Sequence, residues 1–156
     1  MDVLKYGVLG VLVLLIIASV FLIYRFVALG AESRNMAPRL GVENGELAPC
    51  PDTPNCVSSY SVDRQHSIEA IHGGHGTMAL LASYAQGWQE ARLVTEKENY
   101  LHIEVKSSVF GFVDDLEFYF DGSLIQVRSA SRVGHSDLNA NRKRVEMIRN
   151  MIAGRY

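Results

Sequence analysis

The hydrophobic and polar positions divide the chain into an apolar N-terminal run and a longer region of mixed patterns. The run Tyr6–Tyr24 contains no charged residue. As a helix with a rise of ~1.5 Å per residue it would span roughly 28 Å, close to the ~30 Å hydrocarbon core of a bilayer. Because the apolar region of a cleavable signal peptide is usually only ~7–15 residues long, the pattern predicts an uncleaved membrane anchor. Ala28 and Gly30 form a small-x-small pattern, so cleavage after Gly30 is the alternative.

A polar segment, residues 31–47, follows the apolar run and contains Pro38, Gly41 and Gly45. This composition is typical of a linker. We therefore expect an anchor at residues 1–30, a linker at 31–47 and one folded domain at 48–156. The domain is long enough to bury one modest hydrophobic core.

Apolar residues recur with helical spacing in two stretches of this domain, Thr77–Trp88 and Asp137–Ala153. The apolar face of the first consists of Met78, Leu81, Ala85 and Trp88. The apolar face of the second consists of Leu138, Val145, Ile148 and Ile152. Thr77 is the expected N-cap of the first helix, and Ser136 or Asp137 that of the second.

Between the two helices the pattern changes to a period of two. Leu101, Ile103 and Val105 alternate with polar residues, which predicts a strand with one buried and one wet face. Two further apolar runs flank Asp121-Gly122, a pair that favours a hairpin with a two-residue turn. Strands between helices, without a βαβ alternation, predict an α+β fold: an antiparallel sheet backed by two helices and preceded by one transmembrane helix.

A two-residue turn also sets the register of this hairpin. Its core face then holds Leu116, Phe118, Ile125 and Val127. Its outer face pairs Asp115 with Arg128 and Glu117 with Gln126. A slip of two residues keeps the same faces and pairs Glu117 with Arg128 instead.

Asp114 is the anomaly in this register, because it lies on the core face opposite Ser129, with Ser131 further along. Desolvating an isolated carboxylate costs several kcal/mol, so Asp114 needs partners there. One interpretation is a structural hydrogen-bond network at the end of the sheet. The other is a polar pocket in which Asp114 binds a ligand or acts as an acid or base.

Arginines form a second candidate site. Arg128 and Arg132 share a face, and Asn141–Arg144 begins the last helix. Together they could bind an anionic head group or a carboxylate, although a solvated, salt-bridged surface is commoner. The candidate binding residues are Asp114, Asp115, Arg128, Ser129, Ser131, Arg132 and Arg142, with Asp114 as the candidate catalytic residue.

Cys50 and Cys56 are the two cysteines of the chain, and they enclose a short loop. Pro51 and Pro54 restrict that loop, so we expect an intramolecular disulfide that stabilises the start of the domain. A reactive thiol pair is the alternative, although the spacing is not that of a C-x-x-C motif.

Histidines near the first domain helix, together with these cysteines, supply residue types that zinc prefers. The histidines are His66, His72 and His75. Their spacing matches no compact zinc signature, so we expect no metal and no cofactor.

The charge pattern bears on location and partners. A net charge of −2 argues against nucleic-acid binding. Arg25, Arg34 and Arg39 follow the apolar run, which by the positive-inside rule favours a cytoplasmic domain. Long domains can translocate despite such charges, and the cysteine pair favours an oxidising compartment. We expect a single-pass membrane protein with its domain outside the cytoplasm, in the periplasm.

Three stretches, in order, closely resemble the DUF1499 family of domains of unknown function: PCPDTPNCVSS, YLHIEVKSSVFGFVDDLEF and IQVRSASRVGHSDLNANRKRVEMIR. The resemblance covers about Gly45–Ile152. It implies a single-domain protein of the kind found in bacteria and plastids, commonly with a membrane or lipoprotein signal, and it implies no activity. The motif positions are Cys50, Pro51, Pro54, Asn55, Cys56, Phe112, Asp114, Asp115, Glu117, Arg128, Ser129, Ser131, Arg132, Asn141 and Arg142.

Three functions follow from these observations. The leading hypothesis is a membrane-anchored accessory module that binds a ligand or a membrane-protein partner. The second is an enzyme with Asp114 as acid or base and with Arg128 or Arg132 binding an anionic substrate. The third is a structural subunit of a membrane complex. Since the chain contains no recognisable catalytic motif, we favour a protein that is not an enzyme.

Overall fold

The computed structural model describes residues 2–154, and side-chain environments from residue 4 onward. The helices are α1 (Asp2–Asn35), α2 (His75–Gly87) and α3 (Ala140–Ile152). The strands are β1 (Val42–Glu43), β2 (Glu46–Leu47), β3 (Cys56–Ser58), β4 (Ala91–Lys97), β5 (Tyr100–Lys106), β6 (Val113–Phe120) and β7 (Ile125–Ser131).

Five strands form one antiparallel sheet in the order β3-β7-β6-β5-β4, while β1 and β2 form a separate small hairpin. Helices α2 and α3 pack on one face of the large sheet, and their apolar residues share one core with its strands. The α+β fold with two backing helices and a preceding long apolar helix is therefore confirmed.

The hairpin of β6 and β7 has a longer turn than expected. Phe120 pairs with Ile125, so four residues connect the strands and the predicted two-residue turn is wrong. The Asp121 carboxylate explains the difference, because its Oδ1 accepts the backbone N–H groups of Ser123 and Leu124, each at 2.8 Å. These hydrogen bonds hold the pKa of Asp121 below its usual value, and the bond from Leu124 has the largest effect. The turn is built around a capping carboxylate rather than around glycine alone.

The longer turn shifts the register by two residues and keeps the faces. Glu117 lies opposite Arg128, Asp115 opposite Ala130, and Asp114 opposite Ser131. The pairing predicted from a two-residue turn is therefore wrong, and the two-residue slip is the register of the structure. The predicted core face is confirmed, since its four residues are fully buried: Leu116, Phe118, Ile125 and Val127.

Helix α2 begins earlier than predicted, and helix α3 begins later. Gly74 caps α2, so Thr77 lies inside the helix. Leu138 and Asn139 adopt left-handed backbone conformations, with φ of 54° and 64°, and α3 begins only after them. The Asp137 carboxylate accepts the N–H groups of Asn139 and Asn141 and stabilises this entry. Leu138 is 83% exposed, so its predicted place in the core is wrong.

The remaining apolar residues of the two helices pack as predicted. On α2, Met78, Leu81 and Ala85 are buried, and Trp88 packs against the core just beyond the helix. On α3, Val145 and Ile148 are buried, and Ile152 contacts the core while partly exposed.

Helix α1 is continuous through the predicted boundary at residue 30 and ends at Asn35. Its Leu4–Asn35 stretch is long and apolar enough to cross a membrane, judged by length and composition. The last turns lie against the domain, where Ser33 Oγ donates to Val113 O at 3.2 Å and accepts from Val113 N at 2.8 Å. Helix α1 therefore joins the folded domain through a fixed contact.

The segment after α1, residues 36–48, also contacts the domain, and we call it the N-terminal strap. Gly41 N donates to Glu117 Oε1 at 2.7 Å on the sheet face opposite α2 and α3. Leu47 and Ala48 are buried. The division of the chain at residues 30 and 47 stays a prediction, but the expected linker bonds to the sheet through Ser33 and Gly41 and buries Leu47.

Candidate functional site

The sheet face opposite α2 and α3 carries buried ionisable side chains, where the alternating pattern predicts a wet face. The residues concerned are His102, Asp115, Glu117 and Arg128, none of which is more than 7% exposed. The prediction of a solvated outer face is wrong here because the strap and the end of α1 lie over it. Each of these groups consequently needs a partner inside the protein.

These buried side chains form two hydrogen-bonded groups, and Glu117 is the centre of the first. It accepts hydrogen bonds from the Tyr100 hydroxyl at 2.7 Å, from Gly41 N at 2.7 Å and from Arg128 Nη1 at 3.0 Å. Burial, followed by the nearby Glu117 charge, raises the pKa of Tyr100. The carboxylate thus fastens the strap and two strands at one point, with its charge balanced by Arg128.

Arg132 is the centre of the second group. It makes a two-pronged contact with Asp115, with distances of 2.8 Å from Nε to Oδ2 and 2.7 Å from Nη2 to Oδ1. His102 Nε2 lies 2.8 Å from Asp115 Oδ1, and Glu104 Oε1 lies 2.5 Å from Arg132 Nη2. Burial alone would raise the pKa of Asp115, but the hydrogen bonds from Arg132 and His102 outweigh it and lower that pKa.

Two members of this second group, Arg132 and Glu104, form the floor of an open cleft of about 700 Å³ between the end of α1 and the β4–β5 edge of the sheet. The cleft is lined by Arg34, Gln89, Glu90, Ala91, Arg92, Glu104, Lys106, Ser107, Ser108, Val113 and Arg132. Four of these residues are cationic and two are acidic, which leaves a net charge of 4 − 2 = +2. The cleft is therefore locally positive on a chain whose net charge is −2.

The cationic side chains of the cleft differ in the hydrogen-bond and ion-pair partners that they already have. Arg132 is tied to two carboxylates, and exposed Arg92 donates to Glu104 at 2.7 Å. Exposed Arg34 donates from Nη1 to Gly111 O at 3.2 Å. Within residues 2–154 the Lys106 ammonium has no hydrogen-bond or ion-pair partner. Lys106 is accordingly the cation with the most capacity to bind an added anion.

Asp114 lies on the opposite face, beside α3, in a separate polar network. Arg144 Nη2 donates to Asp114 Oδ2 at 2.6 Å and Arg144 Nη1 donates to Asn141 Oδ1 at 2.5 Å. Buried Asn141 accepts from Ser129 Oγ at 2.6 Å and donates to Ser131 Oγ at 3.0 Å. The structure therefore brings Asp114, Ser129 and Ser131 together, and it joins them to two residues of α3.

The predicted site residues consequently fall into three places. Asp114 with its serines faces α3, while Arg128 and Arg132 face the other side of the sheet beside Glu117 and Asp115. Arg142 belongs to neither group, since it donates to the carbonyls of Ser67 and Gln65. The arrangement that pairs Asp114 with Arg128 or Arg132 around one substrate is not formed.

The sequence pattern does not single out three residues that line the cleft: Arg34, Arg92 and Lys106. Arg34 belongs to the segment expected to be a linker, and Arg92 lies on a strand that the pattern leaves unassigned. Lys106 occupies an ordinary wet position of its strand. The signal that could find them is the alternation of Glu104 and Lys106 at the end of β5, on the same face as Arg132.

Cys50 and Cys56 form the predicted disulfide, with their Cα atoms 5.6 Å apart. Cys56 begins β3 and pairs with Ala130 of β7. Next to it, Asn55 Nδ2 donates to Gly134 O at 2.6 Å. The bridge therefore holds the proline-rich loop against the end of β7, and the two sulfur atoms are bonded to each other.

Comparison with known proteins gives one match. A search of the curated proteins and a search of the solved structures each find no match. Residues 46–152 match the family described as "Protein of unknown function (DUF1499)". This region contains the whole large sheet, α2, α3 and the disulfide loop, and it includes the three stretches that carry the sequence resemblance. The chain therefore belongs to the DUF1499 family.

Proposed function

We propose that the protein is a membrane-anchored binding module whose cleft between α1 and the β4–β5 edge holds an anionic group of the phosphate type. The observation that carries the proposal is the excess of cations around the cleft, including Lys106, whose ammonium has no partner in the described part of the chain. Phosphate oxygens accept charge-assisted hydrogen bonds from guanidinium and ammonium groups. The anchor supplies the single membrane span, and the disulfide favours an oxidising space outside the cytoplasm for the domain.

The floor of the cleft supports a binding role because it is rigid. Arg132 is held by both Asp115 and Glu104, and the hydrogen bonds that it donates to Asp115, more than any other contact, raise the pKa of the guanidinium. Burial would raise the pKa of Glu104, yet its bonds to Arg132 and Arg92 lower it. These groups keep their charges across the physiological range and present a preformed surface to an incoming anion.

Acid–base catalysis is less well supported by this geometry. The candidate acid, Asp114, is paired with Arg144 on the far side of the sheet from the cleft. Glu104, which lines the cleft, and Asp115, which lies beside Arg132, are held as charged partners of arginine, with lowered pKa values. A carboxylate with a lowered pKa is a poor proton donor or acceptor near neutral pH.

Binding can be tested with the full-length protein in nanodiscs. One arm titrates glycerol phosphate into protein in phosphatidylcholine nanodiscs and follows the heat of binding. The other arm measures phosphatidylglycerol retained on the protein by native mass spectrometry. Signal in the first arm identifies a soluble ligand, and signal in the second alone identifies a lipid head group.

Lys106→Gln is the test variant, and Lys97→Gln is its matched control because Lys97 lies at the opposite end of the same two-strand pair. A charge-assisted hydrogen bond contributes ~1.5–3 kcal/mol, so Lys106→Gln should weaken binding about tenfold or more. The control should stay within about twofold, in line with the small effect of distant surface charges. Equal losses in both variants, or no binding in either arm, would refute the proposal.

A further inference from the structure

We infer that the loop between β5 and β6, Ser107–Phe112, is a second membrane contact that inserts its apolar tip into the interface of the bilayer that α1 crosses. The inference concerns how the domain sits on the membrane, and it does not depend on what the cleft binds. It rests on the sequence of the loop, on its packing against α1 and on the depth at which that packing occurs.

The loop is apolar where hairpin loops are usually polar. Its tip residue, Val109, is 78% exposed, and two partly buried phenylalanines, Phe110 and Phe112, follow it. On α1 the neighbouring Phe26 and Val27 are 43% and 51% exposed. The loop therefore continues the apolar surface of α1 as one patch, and a continuous exposed apolar patch marks a contact surface.

Three aromatic rings fix the loop to α1. The Phe26 ring centroid lies 5.1 Å from that of Phe110 and 6.4 Å from that of Phe112. Since a helix rises ~1.5 Å per residue, Phe26 lies roughly 3 Å along the axis beyond Tyr24, the end of the uncharged run. The ring cluster thus lies at the boundary of the hydrocarbon region, the depth at which aromatic side chains are enriched in membrane proteins.

The depth of the loop is set by close contacts with α1. A Cβ placed on Gly30 would overlap the Phe110 carbonyl oxygen, so only glycine permits this approach. Arg34 Nη1 donates to Gly111 O, and Ser33 bonds both backbone groups of Val113. Because these contacts lie within the last ten residues of α1, a bilayer around the uncharged run brings the loop to its surface.

The occupant of this surface is therefore the lipid interface rather than a protein. The patch is continuous with the helix surface that lipid covers, and Arg25, Arg34 and Lys106 flank it. Cationic side chains beside an aromatic cluster suit the anionic and dipolar groups of the membrane interface.

Depth measurement with spin labels tests the inference on the full chain in nanodiscs. The two native cysteines form the disulfide, so a single added cysteine can be labelled without removing them. Val109→Cys places the label at the loop tip. Ser123→Cys is the matched control, because Ser123 is an exposed loop residue at the other end of β6, about 26 Å away. Ile16→Cys, in the middle of the uncharged run, provides the reference for a lipid environment.

The readout is the ratio of label accessibility to oxygen, which partitions into lipid, over accessibility to a water-soluble nickel chelate. We expect the ratio to be highest at residue 16, intermediate at 109 and lowest at 123, with a several-fold difference between the last two. Unchanged Trp88 emission confirms that each labelled domain is folded. A ratio at residue 109 equal to that at residue 123 would overturn the inference, whether or not the cleft binds an anion.

Discussion

Replacing Asp115 by asparagine tests whether the buried charges on the sheet face opposite α2 and α3 stabilise the domain. Asp115 is 1% exposed and accepts two hydrogen bonds from Arg132. Asparagine keeps the size of the side chain, but it removes the negative charge and turns one acceptor into a donor. The buried Arg132 guanidinium would then have Glu104 as its remaining carboxylate partner.

The magnitude follows from burial. Removing one partner of a buried ion pair costs about 3–5 kcal/mol, because the other charge is left without compensation. Arg92→Gln removes the outer end of the same chain of ion pairs, where the arginine side chain is 72% exposed. Exposed pairs contribute about 1 kcal/mol or less, so this variant should change the free energy of unfolding only slightly.

Urea unfolding of the full-length protein in mild detergent measures both variants. Trp88 is the only tryptophan of the chain and packs against the core, so its emission follows the unfolding of the domain. The urea concentrations at the unfolding midpoints are compared, provided that the free energy of unfolding falls with urea concentration at the same slope in each protein. A changed slope would indicate a different unfolded or folded state.

The pH dependence gives a second, independent signature. The folded-state pKa of Asp115 lies below its ordinary value of 3.8, so this group stabilises the fold at pH values above 3.8. That stabilisation is lost as the pH falls through the lowered value, and the asparagine variant lacks it throughout. The gap between wild type and variant should therefore be widest at neutral pH and shrink in acid. Equal and small losses in Asp115→Asn and Arg92→Gln, with a gap that does not change with pH, would show that the network is hydrated and would refute the reasoning.

Three other outcomes are expected. Ile148→Ala should lower the free energy of unfolding by about 2–5 kcal/mol, because Ile148 is 1% exposed. Met147→Ala, at a 45% exposed site, should lower it by about 0.5 kcal/mol or less. Similar losses in the two variants, measured by urea unfolding, would contradict the packing of α3. Thiol labelling of denatured protein should find no free thiol before reduction and two after it, and the double Cys50→Ser, Cys56→Ser variant should lose about 2 kcal/mol; labelling without reductant would disprove the bridge. Leu138→Asn should raise the thermal midpoint by relieving an exposed left-handed leucine, a gain of up to about 1 kcal/mol; a lowered midpoint would count against the φ of 54°.

The fold was predictable wherever the local spacing of apolar residues determines which side chains are buried. The faces of β6 follow from a period of two, so Leu116 and Phe118 could be placed in the core without knowing the register. The register itself depended on whether Asp121 caps a longer turn, and the Asp-Gly pair is compatible with both turn lengths. A side-chain hydrogen bond inside one loop therefore decided the pairing of every residue in the hairpin.

The candidate site was less predictable because it depends on contacts between distant segments. Glu117 alternates with core residues and so has the pattern of a wet position, yet Gly41, 76 residues earlier, covers it and bonds to it. The cleft likewise needs Arg34 from the end of α1 beside Lys106 from β5. No periodicity within a strand reports what another part of the chain places over it.

With α1 as the proposed membrane anchor, the contact between Ser33 and Val113 also affects how the protein can meet other molecules in the bilayer. A domain on a slack tether samples all orientations, and a partner must wait for the right one. Here the last turns of α1 and the strand β6 are bonded together, so the domain turns with the helix. Its encounters with neighbours in the bilayer then reduce to sideways diffusion and rotation about one axis, and each face of the sheet stays at a constant height above the lipid.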